Sequence, residues 1–360
     1  MIFNKKTAVI LFNLGGPDKT ESIKPFLFNL FNDKAIISLP QPFRFLLAKL
    51  ISSKRENTAK EIYANLGGKS PLLDLTIAQA DALEKELSFS GNFKTFVAMR
   101  YWEPFSHDII KKVADYEPDQ IIMLPLYPQF SSATSASSIA DFANIFKKNK
   151  YLFKEDIKTK IVCCYPTQND FIKAHCILIK KTLSKHYTDN LSDFRFLFSA
   201  HGLPQKIIDK GDPYVFQVRQ TITEVVSALS SSLKVNEEEI DAQICFQSKV
   251  GPLKWTSPSL DQELKRTAFD NKIPVIVPIA FVSEHSETLV ELDIEYKEKA
   301  EKLGITNHVR VPALNSDGHF INSLVEICKK IDKNSDHNIF SGCSPDRICP
   351  KKMKLCPNSN

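Results

Sequence analysis

No apolar run in the sequence reaches the roughly 18 residues that a membrane-spanning helix needs. Met1 to Lys6 lead straight into a strand-like segment and leave no room for a signal peptide, so a cytoplasmic protein is expected. Glycine-rich nucleotide signatures are also missing. Gly15-Gly16-Pro17-Asp18, after the first strand-like run, is not GxGxxG, and Gly67-Gly68-Lys69-Ser70 lacks the GxxxxGKS spacing. Eight cysteines in 360 residues are too few for a disulfide scaffold. Five of them (Cys163, Cys164, Cys176, Cys245 and Cys328) lie in apolar contexts and read as core fillers. A formal charge of +5 is mild for this length and gives no basic footprint for nucleic acid.

What remains is a soluble α/β pattern long enough for two domains. Thr7 to Leu14, Phe93 to Met99 and Gln120 to Tyr127 read as strands, with helices at 72–87 and 106–116 between them. Residues 23–51 read as two amphipathic helices, rich in Phe and Leu with interleaved Lys and Arg. The alternative is an apolar lip with basic flanks, fitted to a membrane surface or a large apolar ligand. Near residue 150 the pattern starts again, with strands at 194–199, 240–246 and 273–281. Leu11-Phe12-Asn13-Leu14-Gly15-Gly16-Pro17 is similar to Leu197-Phe198-Ser199-Ala200-His201-Gly202-Leu203-Pro204, and the stretch 124–131 is similar to 277–283. Two similar lobes follow, each with a parallel sheet, and a cleft is expected between their strand ends.

The chemistry gathers around 278–296. There a buried strand runs into a turn carrying Glu284 and His285, and a helix is expected from about Ser286. Glu287, Glu291 and Glu295 are four apart and share a helix face. Three like charges so placed cost about 0.2–0.5 kcal/mol per pair. Alone, such a row is more often a solvated face; the adjoining His-Glu pair suits a divalent first-row cation instead. His201 closes a strand in a Gly-Pro turn, where an imidazole can exchange protons near neutrality. Gln247, Ser248 and Lys249 would line the same mouth, with Trp255 as a flat apolar wall. Arg100 and Tyr101 would emerge from the other lobe, the arginine suited to a ligand carboxylate. A large, flat, apolar, acidic ligand together with a divalent cation fits this set, as a tetrapyrrole with propionate arms does.

These residues resemble the ferrochelatase family. The resemblance rests on Leu11 to Pro17, Phe198 to Pro204, Gln247-Ser248-Lys249-Val250-Gly251-Pro252, and Glu287-Thr288-Leu289 through Glu295-Tyr296, in family order over residues 7 to about 325. It implies insertion of ferrous iron into protoporphyrin IX, the last step of heme synthesis. The implied fold is two Rossmann-like lobes of class II chelatase type, each a four-stranded parallel sheet flanked by helices. The lobes would be 1–165, with a porphyrin-pocket lip at about 20–55, and 166–317, with the helix at about 318–333 joining the first lobe and 334–360 as a cysteine-containing tail. The resemblance assigns His201 and Glu287 to catalysis, His201 as acceptor of pyrrole protons or metal ligand. Glu291 and Glu295 extend an iron or proton path, and Leu14, Arg55, Tyr63, Ser70, Arg100, Tyr101 and Trp255 lie near porphyrin.

Some members of the family hold a [2Fe–2S] cluster on tail cysteines, and Cys343, Cys349 and Cys356 would supply three thiolates here. The family's internal ligand position is Ser132, so a fourth would have to be Cys163, Cys164 or Cys176. The alternative is a frayed tail with reduced thiols. Protoporphyrin and ferrous iron are the expected partners, with peripheral contact to the inner face of a membrane through residues 23–51. No nucleic acid is expected, and monomer and homodimer both stay open. Rival readings are a related chelatase working on cobalt, coproporphyrin or sirohydrochlorin, and a tetrapyrrole or metal carrier without turnover.

Overall fold

Short β-branched runs separated by amphipathic stretches can bury both faces only as parallel strands under helices, and this is the architecture formed. The computed structural model describes residues 5–185, 190–333, 338–344 and 346–358. Two compact units result. The first takes in Met1–Cys164, Leu324–Asp346 and Pro357–Asn360; the second takes in Tyr165–Ser323 and Arg347–Cys356.

In the first unit the elements are β1 (Lys6–Asn13), α1 (Ile23–Phe31), α2 (Phe43–Ala64), α3 (Leu72–Ser88), β2 (Asn92–Met99), α4 (Ser106–Asp115), β3 (Gln120–Pro125), α5 (Ser135–Lys148) and β4 (Lys158–Cys164). The second holds α6 (Asn169–Leu183), β5 (Phe194–His201), α7 (Gln205–Asp209), α8 (Tyr214–Leu233), β6 (Ala242–Gln247), α9 (Leu260–Phe269) and β7 (Ile273–Pro278). A π-helix (Glu287–Glu295), α10 (Tyr296–Lys302) and β8 (Val309–Arg310) complete it. Then α11 (Gly318–Lys333) leads from the second unit back to the first, where β9 (Ile339–Ser341) pairs with β4.

The sheets are parallel, in the orders β2-β1-β3-β4-β9 and β6-β5-β7-β8. The shared order, a first strand flanked by the second and third, is the structural form of the repeat seen in the sequence. Ala8, Ile10, Phe12, Ile121, Met123 and Phe142 pack with α4 residues over the first sheet. Leu197, Ile276, Leu292, Tyr296 and Ala300 form a core of the second.

Four expectations change. The first sheet has five strands rather than four, because Ile339-Phe340-Ser341, a short β-prone stretch in a polar tail, adds an edge strand. The tail is therefore not a separate segment: β9 belongs to the first unit, and Arg347–Cys356 packs in the second. The second of the two helices expected within residues 23–51 does not stop there: α2 runs unbroken through Ser52, Arg55 and Tyr63 to Ala64. Similarly, α11 changes unit between Ser323 and Leu324 rather than belonging wholly to the first.

Candidate active site

Open parallel sheets bind ligands beyond the carboxyl ends of the strands that flank a switch in strand order. In the second unit those strands are β5 and β7. His201 is the last residue of β5, and the chain leaving β7 turns through Ile279–Ser286 into the π-helix that begins at Glu287. The two side chains meet: His201 Nδ1 lies 3.0 Å from Glu287 Oε2. The Nε2 of His285 stands 3.6 Å from the same oxygen, its Nδ1 held at 3.1 Å from the Ser283 carbonyl. The side chains of His201 and Glu287 keep 37 % and 28 % of their surface open to solvent.

Burial works against charge on His201, but the facing Glu287 outweighs it and lifts the imidazole above its ordinary pKa. Burial likewise opposes ionisation of Glu287, and the two histidines override it to hold the carboxyl well below its usual range. Glu291 moves the other way: burial, then repulsion from Glu287, raises it despite its donors. Those donors are several. Gln247 Nε2 lies 3.0 Å from Glu291 Oε2 and also donates to the Glu287 carbonyl at 2.9 Å, while its Oε1 accepts from Ser199 Oγ at 2.7 Å. Ser248 contributes its backbone N–H at 3.0 Å and its hydroxyl at 2.5 Å. To aim both groups at Glu291, Ser248 adopts φ 63°, a backbone that non-glycine residues enter at a cost and that clusters at working sites.

The segment 287–295 is wound as a π-helix, not the α-helix expected from its periodicity. Spacing cannot distinguish the two, because residues four apart stay near one face under either winding. The exception is Glu295, which is solvent-exposed at the far end of the row. Trp255 borders the pair, its ring edge-on to His201 at 6.4 Å. Tyr214, at the start of α8, is hydrogen-bonded to the His201 backbone, and burial followed by the Glu287 carboxylate pushes its phenol far up. Sequence reasoning missed Tyr214; the Gly211-Asp212-Pro213 turn just before it was the available signal.

The remaining expected site residues lie in the first unit. Leu14 packs on the α1–α2 cluster that contains the buried Tyr63. Arg55 sits over the Phe31 ring at 5.8 Å. Ser70 is buried against Gly16, so close that a Cβ on Gly16 would stand 2.5 Å from it. The space that the missing side chain leaves at this turn is thus filled by the protein itself. Arg100 was expected to meet a ligand carboxylate, but its guanidinium is committed within the protein, 2.9 Å from Asp33 and 2.8 Å from Ser137. The Tyr101 hydroxyl donates to the same Asp33 at 2.8 Å. Desolvation would raise Asp33, but the Ser137 hydroxyl, backbone and Arg100 together lower it.

The tail cysteines do not sit in a frayed end. Cys349 and Cys356 are buried, and Gln217 Nε2 lies 3.1 Å from Cys349 Sγ. Arg347 donates to the carbonyls of Cys349, Pro350 and Met353, closing the loop. Among the described residues no three His, Cys, Asp or Glu side chains gather as a metal site. The five core-filling cysteines are all buried.

Two α/β units, each built on one parallel sheet, form a fold of chelatase type. A multi-domain protein from Deinococcus radiodurans, described as structurally similar to chelatases, shares this fold. The TM-score is 0.50 at 10 % identity, over 92 % of this chain and 56 % of that one. The sequence is far more specific. The family model for ferrochelatase matches residues 6–331, and the chain belongs to the ferrochelatase family. The ferrochelatase of Pelagibacter ubique is 48 % identical over 359 residues, covering 99 % of each chain. That of Rickettsia bellii is 48 % identical over 358 residues, covering 99 % of this chain and 96 % of its own.

Proposed function

We propose that this chain inserts ferrous iron into protoporphyrin, giving heme and releasing two protons, the last step of heme synthesis, with His201 and Glu287 managing the protons. The observation that carries this reading is the 3.0 Å contact between His201 Nδ1 and Glu287 Oε2 at the strand ends. A free porphyrin closes its central hole with two pyrrole N–H groups, and both protons must leave as the metal enters. A neutral imidazole that donates Nδ1–H to a carboxylate keeps its lone pair on Nε2. His201 then accepts a pyrrole proton there, and Glu287 holds the imidazolium that forms. Incoming iron would use the same Nε2 if His201 is a ligand. Glu291, with its raised pKa, is suited to pass protons onward toward Glu295 and solvent. The edge-on Trp255 offers an apolar wall against which a bent macrocycle can lie.

For the first unit, we assign Leu14, Arg55, Tyr63 and Ser70 to the porphyrin's surroundings. Arg100 and Tyr101 are assigned there too, with their polar groups held on Asp33 rather than on a propionate. No helix among the described residues is long and apolar enough to cross a membrane. Even so, Phe43, Leu46 and Leu50 of α2 are 64 %, 60 % and 52 % exposed beside Arg44 and Lys49. This lip suits surface contact with anionic lipid, from which an insoluble substrate would be drawn. Flotation with anionic vesicles, lost in a Phe43→Ser/Leu46→Ser variant, is the expected result.

The deciding experiment gives pure protein Fe²⁺ and protoporphyrin without oxygen and follows the loss of free-porphyrin absorbance. His201→Ala should bind porphyrin and fail to metallate it. Substantial turnover in that variant would sink the role given to His201.

A further inference from the structure

Arg310 lies in the two-residue edge strand β8, paired with Ile276 of β7. Its side chain is only 12 % exposed, and all three guanidinium nitrogens are engaged by carboxylates. Nε donates to Asp293 Oδ1 at 2.6 Å and Nη2 to Asp293 Oδ2, forming a two-pronged fork, while Nη1 lies 2.5 Å from Glu284 Oε1. Asp293 is inside the π-helix and Glu284 is in the turn before it. One buried cation therefore grips the segment on both sides of Glu287. Glu284 is itself tied down: its Oε1 accepts from the Ala313 N–H at 2.9 Å, and its own N–H donates to Asn315 Oδ1 at 3.0 Å.

A nine-residue π-helix is uncommon, since i→i+5 winding normally persists for about one turn. Something outside its backbone must keep it from tightening into α winding. Asp293 follows Glu291 by two residues, about half a turn, so it faces β8 when Glu291 faces Gln247 and Ser248. Tightening would rotate Asp293 out of the fork and carry Glu287 off His201. A bidentate fork resists this because it fixes orientation as well as distance, which a lysine ammonium does not.

We propose that Arg310 is a positioning residue for metal insertion: by clamping Asp293 and Glu284 from behind, it holds the π winding that presents Glu287 and Glu291 to His201 and Ser248. The proposal rests on the ferrochelatase reading and adds to it the device that sets the carboxylates.

Arg195 supplies a matched control in the same unit. It is 6 % exposed, bridges Asp241 and Asp270 at 2.8 Å each, and lies at the opposite end of β5 from His201. The test compares Arg310→Lys, Asp293→Asn and Arg195→Lys in the full chain, measuring kcat, porphyrin KM and thermal midpoint. Arg310→Lys and Asp293→Asn should each lower kcat about tenfold or more, with porphyrin KM within about twofold of wild type, the scale typical of lost outer partners. Arg195→Lys, though it lowers the midpoint as much, should keep kcat within about twofold. Normal kcat in both clamp variants overturns the proposal, as does a loss in Arg195→Lys that tracks stability in the same way. If the wild type does not metallate protoporphyrin, the functional reading falls and the proposal with it; an active wild type beside active clamp variants removes the proposal alone.

Discussion

His201 and Glu287 set each other's charge, and this fixes when the pair contributes to stability. The imidazole pKa is raised in the folded chain, so its share is complete below the ordinary 6.5 and is lost as pH rises through the raised value. The Glu287 carboxyl is lowered, so its share is present above the ordinary 4.5 and is lost as pH falls through the lowered value. Between these limits both operate. In Glu287→Gln the stabilising charge is gone while burial remains, so His201 should titrate below its ordinary value rather than above it. Histidine ring resonances followed by NMR against pH would show this, and an unchanged titration would separate the two residues electrostatically. His175 behaves differently: burial in α6 depresses it to about 3, and its Nε2 has no hydrogen-bond partner among the described residues. Since the unfolded chain takes up that proton more readily, stability should fall as pH drops below 6.5. His175→Leu should flatten that acid-side loss, read as the difference in thermal midpoint between pH 5, where the two states differ in protonation, and pH 8, where both are neutral. At this scale His201 and Glu287 were legible because strand ends are where ligands meet open sheets. The fate of Arg100 was not, because Asp33 and Ser137 reach it from segments far away in sequence.

At the scale of elements, the glutamate row was visible as a spacing, but its winding was not. Nothing in Glu287-Thr288-Leu289-Val290 announces π rather than α; the external grip on Asp293 and Glu284 comes from a two-residue strand with no periodicity of its own. If the row works as a graded path from buried to exposed, Glu287→Gln should cost far more activity than Glu295→Gln. Equal small losses in steady-state rates would reduce the row to a solvated face. The glycine turn after β1 makes a further expectation. Gly15 has φ 86°, and a Cβ on Gly16 would collide with Ser70 at 2.5 Å. Gly16→Ala should therefore lower stability by about 1–3 kcal/mol in chemical denaturation, as overpacking does. A neutral effect would mean that the α3 entry moves aside freely.

Across the whole molecule, the alternation of strands and helices and the internal similarity sufficed to read two parallel α/β lobes. The strand order could not be read, nor could the fifth strand of the first sheet. β9 is three residues long, and its only signal is an Ile-Phe pair in a polar tail. It nevertheless covers β4, pairing Ile161 with Ile339 and Val162 with Phe340, and Gly342 N–H donates to the Cys164 carbonyl at 2.7 Å. Truncation after Lys333 should bare the β4 edge, lower the thermal midpoint and raise light scattering on warming. A truncated protein as stable and clear as the full chain would make β9 an ornament. The same strand bears on how the polypeptide is made. At roughly 5–20 residues per second, on the order of ten to thirty seconds of synthesis separate Cys164 from Ile339. Throughout that interval the sheet begun first stays open along one side, waiting for Ile339–Ser341. The second unit, although begun later, has all four strands in hand sooner. The two sheets are thus completed in the reverse of the order in which they are begun, and a nascent chain stalled before Ile339 would be the form most in need of a chaperone.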